Sequence, residues 1–320
     1  MIVPVALLAP ADFVVYKGTS GPGLGKHIVF LAGDEEYRSE EGLPQLAKIL
    51  ARRHGFTCTV LFSVNEHGEI DPNLHTNQPG MEALDHADLC VILLRFRTWP
   101  DAQMRHFVDY YRAGKPIIAL RTSTHAFDYP ADSTNAFREF GWKNPTWPGG
   151  FGKQVLGETW ISHWGDHGHQ ATRGIIVSSD PILNGVKDLF GTTDVYEAAP
   201  PADATILVRG QVLASLDPTS RPAVGRKKTA AGVEQDLNEP MMPIVWKRTV
   251  PNKVLVTTMG AATDLLSPDL RRLLVNGAYS FVGLKVPARA NVDFVGNFTP
   301  TPFGFDGFRK GVKPSDLAGW

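Results

Sequence analysis

The chain has 320 residues, 43% hydrophobic and 20% charged, with a mean hydropathy of −0.12. This is ordinary globular composition and excludes a wholly disordered chain, a fibrous repeat or a multi-span membrane protein. Charge is nearly balanced, 32 Lys+Arg against 33 Asp+Glu, so the basic surplus that nucleic-acid binding requires is missing.

The opening run MIVPVALLAPAD is apolar and ends in Ala9-Pro10-Ala11, a small-x-small pattern that fits a cleavage site. It is too short to span a bilayer and has no charged n-region. Residues 1–25 therefore read as an N-terminal arm carrying a signal-peptide remnant, which points to a secreted or periplasmic protein with a cytoplasmic one as the alternative.

An alternation follows. HIVFLAG (27–33) reads as a strand, GLPQLAKILARRHG (42–55) as a helix capped by Gly55, and CTVLFSV (58–64) and ADLCVILL (87–94) as strands. A helix runs from Pro100 to Arg112, and KPIIALR (115–121) is the next strand. This order predicts a doubly wound, mostly parallel α/β sheet. Cys58 and Cys90 fall inside strands and read as buried thiols with no disulfide framework. Residues 126–170, rich in Gly, Pro and Trp, form a long insertion. Further strands are expected at 173–179, 204–210 and 253–258, and a helix at 270–283. Residues 216–240 read as a solvated loop holding the basic run Arg221, Arg226, Lys227 and Lys228. The tail 286–320 carries Phe294, Phe298, Phe303, Phe305 and Phe308. Disordered tails are poor in aromatics, so this one is expected to pack across the domain.

Ligands of open parallel sheets bind beyond the carboxyl ends of the strands. Those ends deliver Asp34-Glu35-Glu36, then Arg95 and Arg97, then Arg121-Thr122-Ser123-Thr124-His125. Either this is a site or an ion-pair network closing the edge. Arg121 stands where a nucleophile elbow would carry its Ser or Cys, and an arginine cannot be a nucleophile. It suits holding a carbonyl oxygen or stabilising an oxyanion. The hydroxyls of 122–124 serve either chemistry beside His125 or capping of the next turn.

The stretch 158–169 contains Glu158, Trp160, Ser162, His163, Trp164, Asp166, His167 and His169. His163, His167, His169 and Glu158 could ligate zinc or another divalent ion, although no standard zinc signature is present. One of these histidines could instead act as general base, or the loop could be merely hydrogen-bonded. Trp142, Trp147, Trp160 and Trp164 are either the core of the insertion or a platform for a sugar or aromatic ring.

With the DEE triplet, the RTSTHAF turn and the His-rich loop, the chain resembles the ThuA-like (trehalose-utilisation) family. DPILNGVKDLFGTTDVY (180–196) and MPIVWKRTVPNKVLVTTMGAATD (242–264) are similar to that family's stretches, and TPTPFGFDGF near the end is similar to a secreted branch. The resemblance covers residues 26–285 and implies a class I glutamine amidotransferase-like fold and the processing of sugars such as oxidised disaccharides. Two departures matter. Arg121 replaces the amidotransferase cysteine, which argues against glutamine hydrolysis, and Gly260-Ala261 replaces the family's late Gly-His.

Three functions are compatible with these residues. The first is a hydrolase cleaving ester or glycosidic C–O bonds of a carbohydrate or aromatic substrate. In it Arg121, His125, His163, Glu35 and Glu36 are catalytic, and Asp34, Arg95, Arg97, Ser123, Trp160 and Trp164 bind substrate. The second is a metal-dependent isomerase or lyase of keto-sugars, and the third a non-catalytic carbohydrate-binding module. The partner is a small molecule or polymer, not nucleic acid or membrane, and a homo-oligomer is compatible with each.

Overall fold

The computed structural model describes residues 12–320, so the cleavage-site reading at 1–11 lies outside the described residues. In chain order the strands are β1 (Phe13–Lys17), β2 (His27–Gly33), β3 (Thr57–Phe62), β4 (Leu89–Leu94), β5 (Ile117–Leu120), β6 (Thr172–Ile176), β7 (Leu189–Gly191), β8 (Thr205–Val212), β9 (Arg226–Lys228), β10 (Glu234–Asp236), β11 (Met242–Arg248) and β12 (Val254–Thr257). The α-helices are α1 (Ser39–His54), α2 (Asp101–Arg112) and α3 (Pro268–Phe281).

Ten strands form one sheet in the order β1-β3-β2-β4-β5-β12-β11-β8-β6-β7. Its parallel heart is β3-β2-β4-β5-β12. These strands are almost wholly buried, because a parallel sheet is covered on both faces and needs apolar residues on each side. Beyond β12 the sheet continues antiparallel through β11, β8, β6 and β7. Residues 13–17 of the expected N-terminal arm add β1 antiparallel to β3.

Helices α1 and α3 cover one face, where Leu43, Leu46 and Leu50 meet Leu270, Leu273 and Leu274 in one core. Helix α2 covers the other, and Phe127, Phe137, Phe140 and Phe151 of the insertion join that second core. Gly55 closes α1 in the left-handed region at φ 86°, its N–H donating to Ala51 O, a role that suits a residue without Cβ. Cys58 and Cys90 are both buried free thiols. Among the described residues no helix is long and apolar enough to cross a membrane.

The tail runs across the α1–α3 face. Arg53 Nη2 donates to Phe294 O at 2.9 Å, His54 Nε2 contacts Asn291 O at 2.7 Å, and Arg271 lies over the Phe294 ring at 3.9 Å. Tyr16 Oη donates to Leu317 O at 2.6 Å. The tail also reaches the strand ends, where Gly304 N donates to Glu36 O at 2.8 Å.

One glycine in the insertion is required by close approach. A Cβ on Gly152 would stand 1.8 Å from Thr124 O, so this position lets the insertion press onto the turn that carries His125. Gly152→Ala is expected to lower stability by about 1–3 kcal/mol, as overpacking of a filled interior does. Chemical denaturation checks it, with a cost below about 0.5 kcal/mol counting against the packing described.

Candidate active site

Counted along the chain, the parallel strands run in the order 2-1-3-4-5, with the switch point between β2 and β4. Ligands of such sheets bind in that crevice. Among the described residues, three of the four non-glycine residues with positive φ sit on the loops leaving β2, β4 and β5: Arg38 at 57°, Phe96 at 54° and Arg121 at 41°. Left-handed backbone at such residues costs about 1–3 kcal/mol and clusters at functional sites.

Arg121 lies at the elbow leaving β5 and is wholly buried. Its Nη1 donates to Asp194 O at 2.9 Å and Thr258 O at 2.7 Å, and its Nη2 to Asp194 Oδ1 at 2.7 Å and Tyr37 Oη at 3.1 Å. The guanidinium is sandwiched between the rings of Tyr37 and Tyr196, at 4.5 and 4.0 Å. It therefore cannot reach a substrate oxygen, and the oxygen-holding role expected for it is corrected. Arg121 positions Asp194.

Asp194 is the hub. Oδ2 faces His163 Nδ1 at 2.9 Å, and Oδ1 faces His167 Nδ1 at 3.0 Å. Burial pushes this carboxyl up, but Arg121 and the two imidazoles outweigh burial and hold it well below the usual carboxylate range. His167 Nε2 pairs with Glu36 Oε1 at 3.1 Å. Hydrogen bonds to Asp194 and Glu36 raise His167 to about 9 against the opposing effect of burial. His167 is thus an imidazolium at neutral pH. His163 lies against it at 4.4 Å between ring centroids and is 33% exposed. Its Nδ1 faces Asp194, and its Nε2 has no hydrogen-bond partner among the described residues.

The second half of the site is Glu35. Oε2 pairs with Arg97 Nη2 at 3.0 Å and Oε1 with Arg95 Nη1. Arg97 is fully buried and also serves the carbonyls of Pro72 and Leu74, so it is a structural tie rather than a substrate contact. Arg95 keeps 19% of its side chain exposed and lies between the rings of Phe96 and Phe305, at 4.5 and 5.0 Å.

The structure reassigns several further expected residues. Asp34 is buried and accepts from Thr122 Oγ1 and from the N–H groups of Glu36 and Tyr37. It shapes the loop after β2, and burial together with Glu35 pushes its carboxyl up. Ser123 ties β4 to the elbow, donating to Ile92 O at 3.0 Å and accepting from Leu94 N at 3.2 Å. His125 is buried against Phe96, Trp142 and Trp160, and burial, then Arg95 and Arg121, hold it neutral. It is a wall residue and a poor base. Trp164 is core, its Nε1 donating to Leu237 O at 2.9 Å, whereas Trp160 stays half-buried beside His163 at 5.8 Å. Glu158 is occupied by Lys153 Nζ and the N–H groups of Thr159 and Ala199, and His169 is exposed. Neither joins His163 and His167. Lys227 of the basic run is no free charge, since its Nζ donates to His163 O.

Asp194, Tyr196 and Phe303 are residues of the candidate site that strand-end reasoning missed. Phe303 comes from the tail and packs on Tyr37 at 5.4 Å and His167 at 5.6 Å. Asp194 and Tyr196 lie in the 180–196 stretch that carried the family resemblance, which was the available signal. A divalent ion is geometrically conceivable, because ligand atoms of His163, His167 and Asp194 all lie within 4.8 Å of one another. Against it, an added dication would stand beside the buried Arg121 cation.

The strand order defines a doubly wound α/β protein with the flavodoxin-like order of parallel strands. Among solved structures, one described only as ThuA-like, from Parabacteroides merdae, aligns over 88% of this chain and 95% of its own, at 13% identity and a TM-score of 0.50. Another from Bacteroides uniformis aligns over 85% and 96%, at 17% identity and 0.49. An exo-β-1,4-mannosidase from an Opitutaceae bacterium aligns over 81% of this chain and 36% of its own, at 9% identity and 0.31, too loose to carry an argument. No protein-family model and no curated protein matches the sequence. The chain has the ThuA-like fold, and identities this low say nothing of its reaction.

The His167 pairing has a pH signature. Its folded value is raised, so the stability it contributes is complete below about 6.5 and is lost as pH rises through about 9. NMR titration of the imidazoles is expected to show His167 titrating near 9. Glu36→Gln is expected to bring it down by about one unit or more, since a carboxylate partner is removed. Titration of His167 near its ordinary value in the unaltered protein would contradict the geometry.

Proposed function

We propose that the protein is a hydrolase that cleaves an ester or glycosidic C–O bond of a carbohydrate or aromatic substrate, using His163 as general base. One observation carries this reading. His163 presents Nδ1 to Asp194 at 2.9 Å while its Nε2 is unpartnered and its ring is partly exposed. An imidazole that donates Nδ1–H to a carboxylate has its lone pair on Nε2 and is held in the tautomer a base needs.

The elbow carries no nucleophile, so water attacks. His163 Nε2 takes a proton from water, the hydroxyl oxygen bonds the acyl or anomeric carbon, and the C–O bond breaks. The same imidazolium returns its proton to the leaving oxygen. Arg95, the arginine with an exposed edge, takes the oxygen-holding role first expected of Arg121. Trp160 and Phe303, both half-buried, offer flat apolar faces beside His163 and His167, which suit a sugar or aryl ring. A secreted or periplasmic location belongs to this reading, supported by the opening run and by the TPTPFGFDGF stretch.

A chromogenic panel of short and aromatic esters and simple glycosides tests it. His163→Gln is expected to lower kcat by about 10²–10⁴, as loss of a general base does. Trp160→Ala is expected to raise KM more than it lowers kcat. Full turnover in His163→Gln ends the assignment. The ligand-atom cluster favours a second reading, a metal-dependent sugar lyase or isomerase. Stoichiometric metal in the purified protein, lost together with activity on chelation, would select it, and metal-free activity would exclude it.

A further inference from the structure

The tail brings a second aromatic ring to the edge where Phe303 packs. Phe305 lies over the Arg95 guanidinium at 5.0 Å, yet it is 57% exposed. With one face on Arg95, its other face is open to solvent. Among the described residues only Trp320 is another aromatic ring so exposed, and that ring already lies against Tyr16 and Arg52. The turn carrying Phe305 is held firmly. Buried Arg38 donates from Nε to Thr301 Oγ1 and from Nη1 to Glu36 O, each at 3.1 Å. Gly304 N donates to Glu36 O at 2.8 Å, and a Cβ at Gly307 would run into Arg38 Nη2. Asp306, beside Phe305, is the fourth non-glycine residue in the left-handed region, at φ 58°. Such strain persists where the surroundings impose it, and it clusters at ligand sites.

Contacts join Phe305 to the proposed base along two flanks. On one, His163 touches Trp160 at 5.8 Å, Trp160 touches His125 at 5.7 Å, and His125 touches Phe96 at 5.1 Å. Phe96 then shares Arg95 with Phe305. On the other, His163 lies against His167 at 4.4 Å and His167 against Phe303 at 5.6 Å, two residues before Phe305 in the chain. Every member of this circuit except His125 keeps part of its surface exposed. What the circuit offers is ring faces. Its carboxylates each have a cationic partner already: Glu35 has Arg95 and Arg97, Glu36 has His167, and Asp194 has Arg121. A pyranose needs a partner for every hydroxyl it buries. An aryl group needs only faces and edges. The guanidinium behind Phe305 also draws π density from its open face, which suits stacking with an aryl ring better than contact with sugar C–H groups.

We propose that Phe305 is a specificity-determining residue that stacks on an aryl group of the substrate, so that the cleft selects an aryl ring over a saturated one. This rests on the cleft of the reading above and narrows its substrate to the aromatic class. The tail is then a wall of the site, with Phe303 facing the histidines and Phe305 facing the mouth.

NMR titration of the full chain, followed at the imidazole protons of His163 and His167, tests this with benzyl alcohol, cyclohexylmethanol and 1,5-anhydroglucitol. None of the three has an ester or glycosidic bond, so binding is read apart from turnover. Benzyl alcohol is expected to give saturable shifts, and cyclohexylmethanol to bind about threefold or more weakly. Phe305→Leu keeps an apolar cover on Arg95 but removes the ring. It is expected to weaken benzyl alcohol about three- to tenfold, the size of an aromatic pair, and to erase the preference over cyclohexylmethanol. Phe305→Tyr is expected to keep both. The position is exposed, and should Phe305→Leu fail to fold, Phe305→Ala decides in its place. Equal binding of the two alcohols, tighter binding of anhydroglucitol, or unchanged affinity in Phe305→Leu overturns the proposal. So does the lack of a saturable shift with benzyl alcohol up to about 50 mM, well past a millimolar constant. Ester turnover with aryl binding untouched by Phe305→Leu ends this proposal and leaves the hydrolase reading standing. Aryl binding through Phe305 without turnover of any ester or glycoside does the reverse.

Discussion

A guanidinium with no exposure to solvent needs a carboxylate and carbonyl oxygens around it, and here these come from separate parts of the fold. Arg121 leaves β5, Asp194 follows β7, and Thr258 follows β12. The pair thus ties the parallel half of the sheet to its antiparallel extension at the carboxyl edge of the parallel strands. It also fixes Asp194, whose two oxygens orient both His163 and His167. Buried ion pairs contribute little net stability compared with an apolar replacement. The value of this one lies in position: the strained elbow, the two tyrosine rings and both histidines are all arranged around it.

Much of the fold was legible in the sequence because parallel strands covered on both faces are continuous apolar runs. HIVFLAG, ADLCVILL and KPIIALR could hardly be read otherwise, and Gly55 marked the end of α1 correctly. The antiparallel extension was less legible. MPIVWKR forms β11 although it contains a proline and two basic residues, and LFG is a strand of only three residues. Such segments are strands because neighbours pair with them, which local pattern does not encode. The same holds for β1, whose five residues acquire their structure from β3.

Strand-end reasoning pointed to this edge but could not sort its residues by exposure. Asp34, Arg97, Arg121 and Ser123 all follow strands, and all are buried, because the insertion and the tail cover the edge. Arg95 escapes only because Phe96 and Phe305 hold it at the rim. The hub, Asp194, follows a short strand far from the parallel block. Its distance in sequence from His163, 31 positions, hides a contact of hydrogen-bond length. The tail's aromatic content did announce packing, and Phe303 shows where that packing leads.

The most direct measurement is the unfolding free energy of Arg121→Met alongside the unaltered protein. Removing one member of a buried pair leaves the other charge uncompensated, so a loss of about 3–5 kcal/mol is expected. A loss below about 1 kcal/mol would contradict the account, since such small values are typical of exposed pairs that organise nothing.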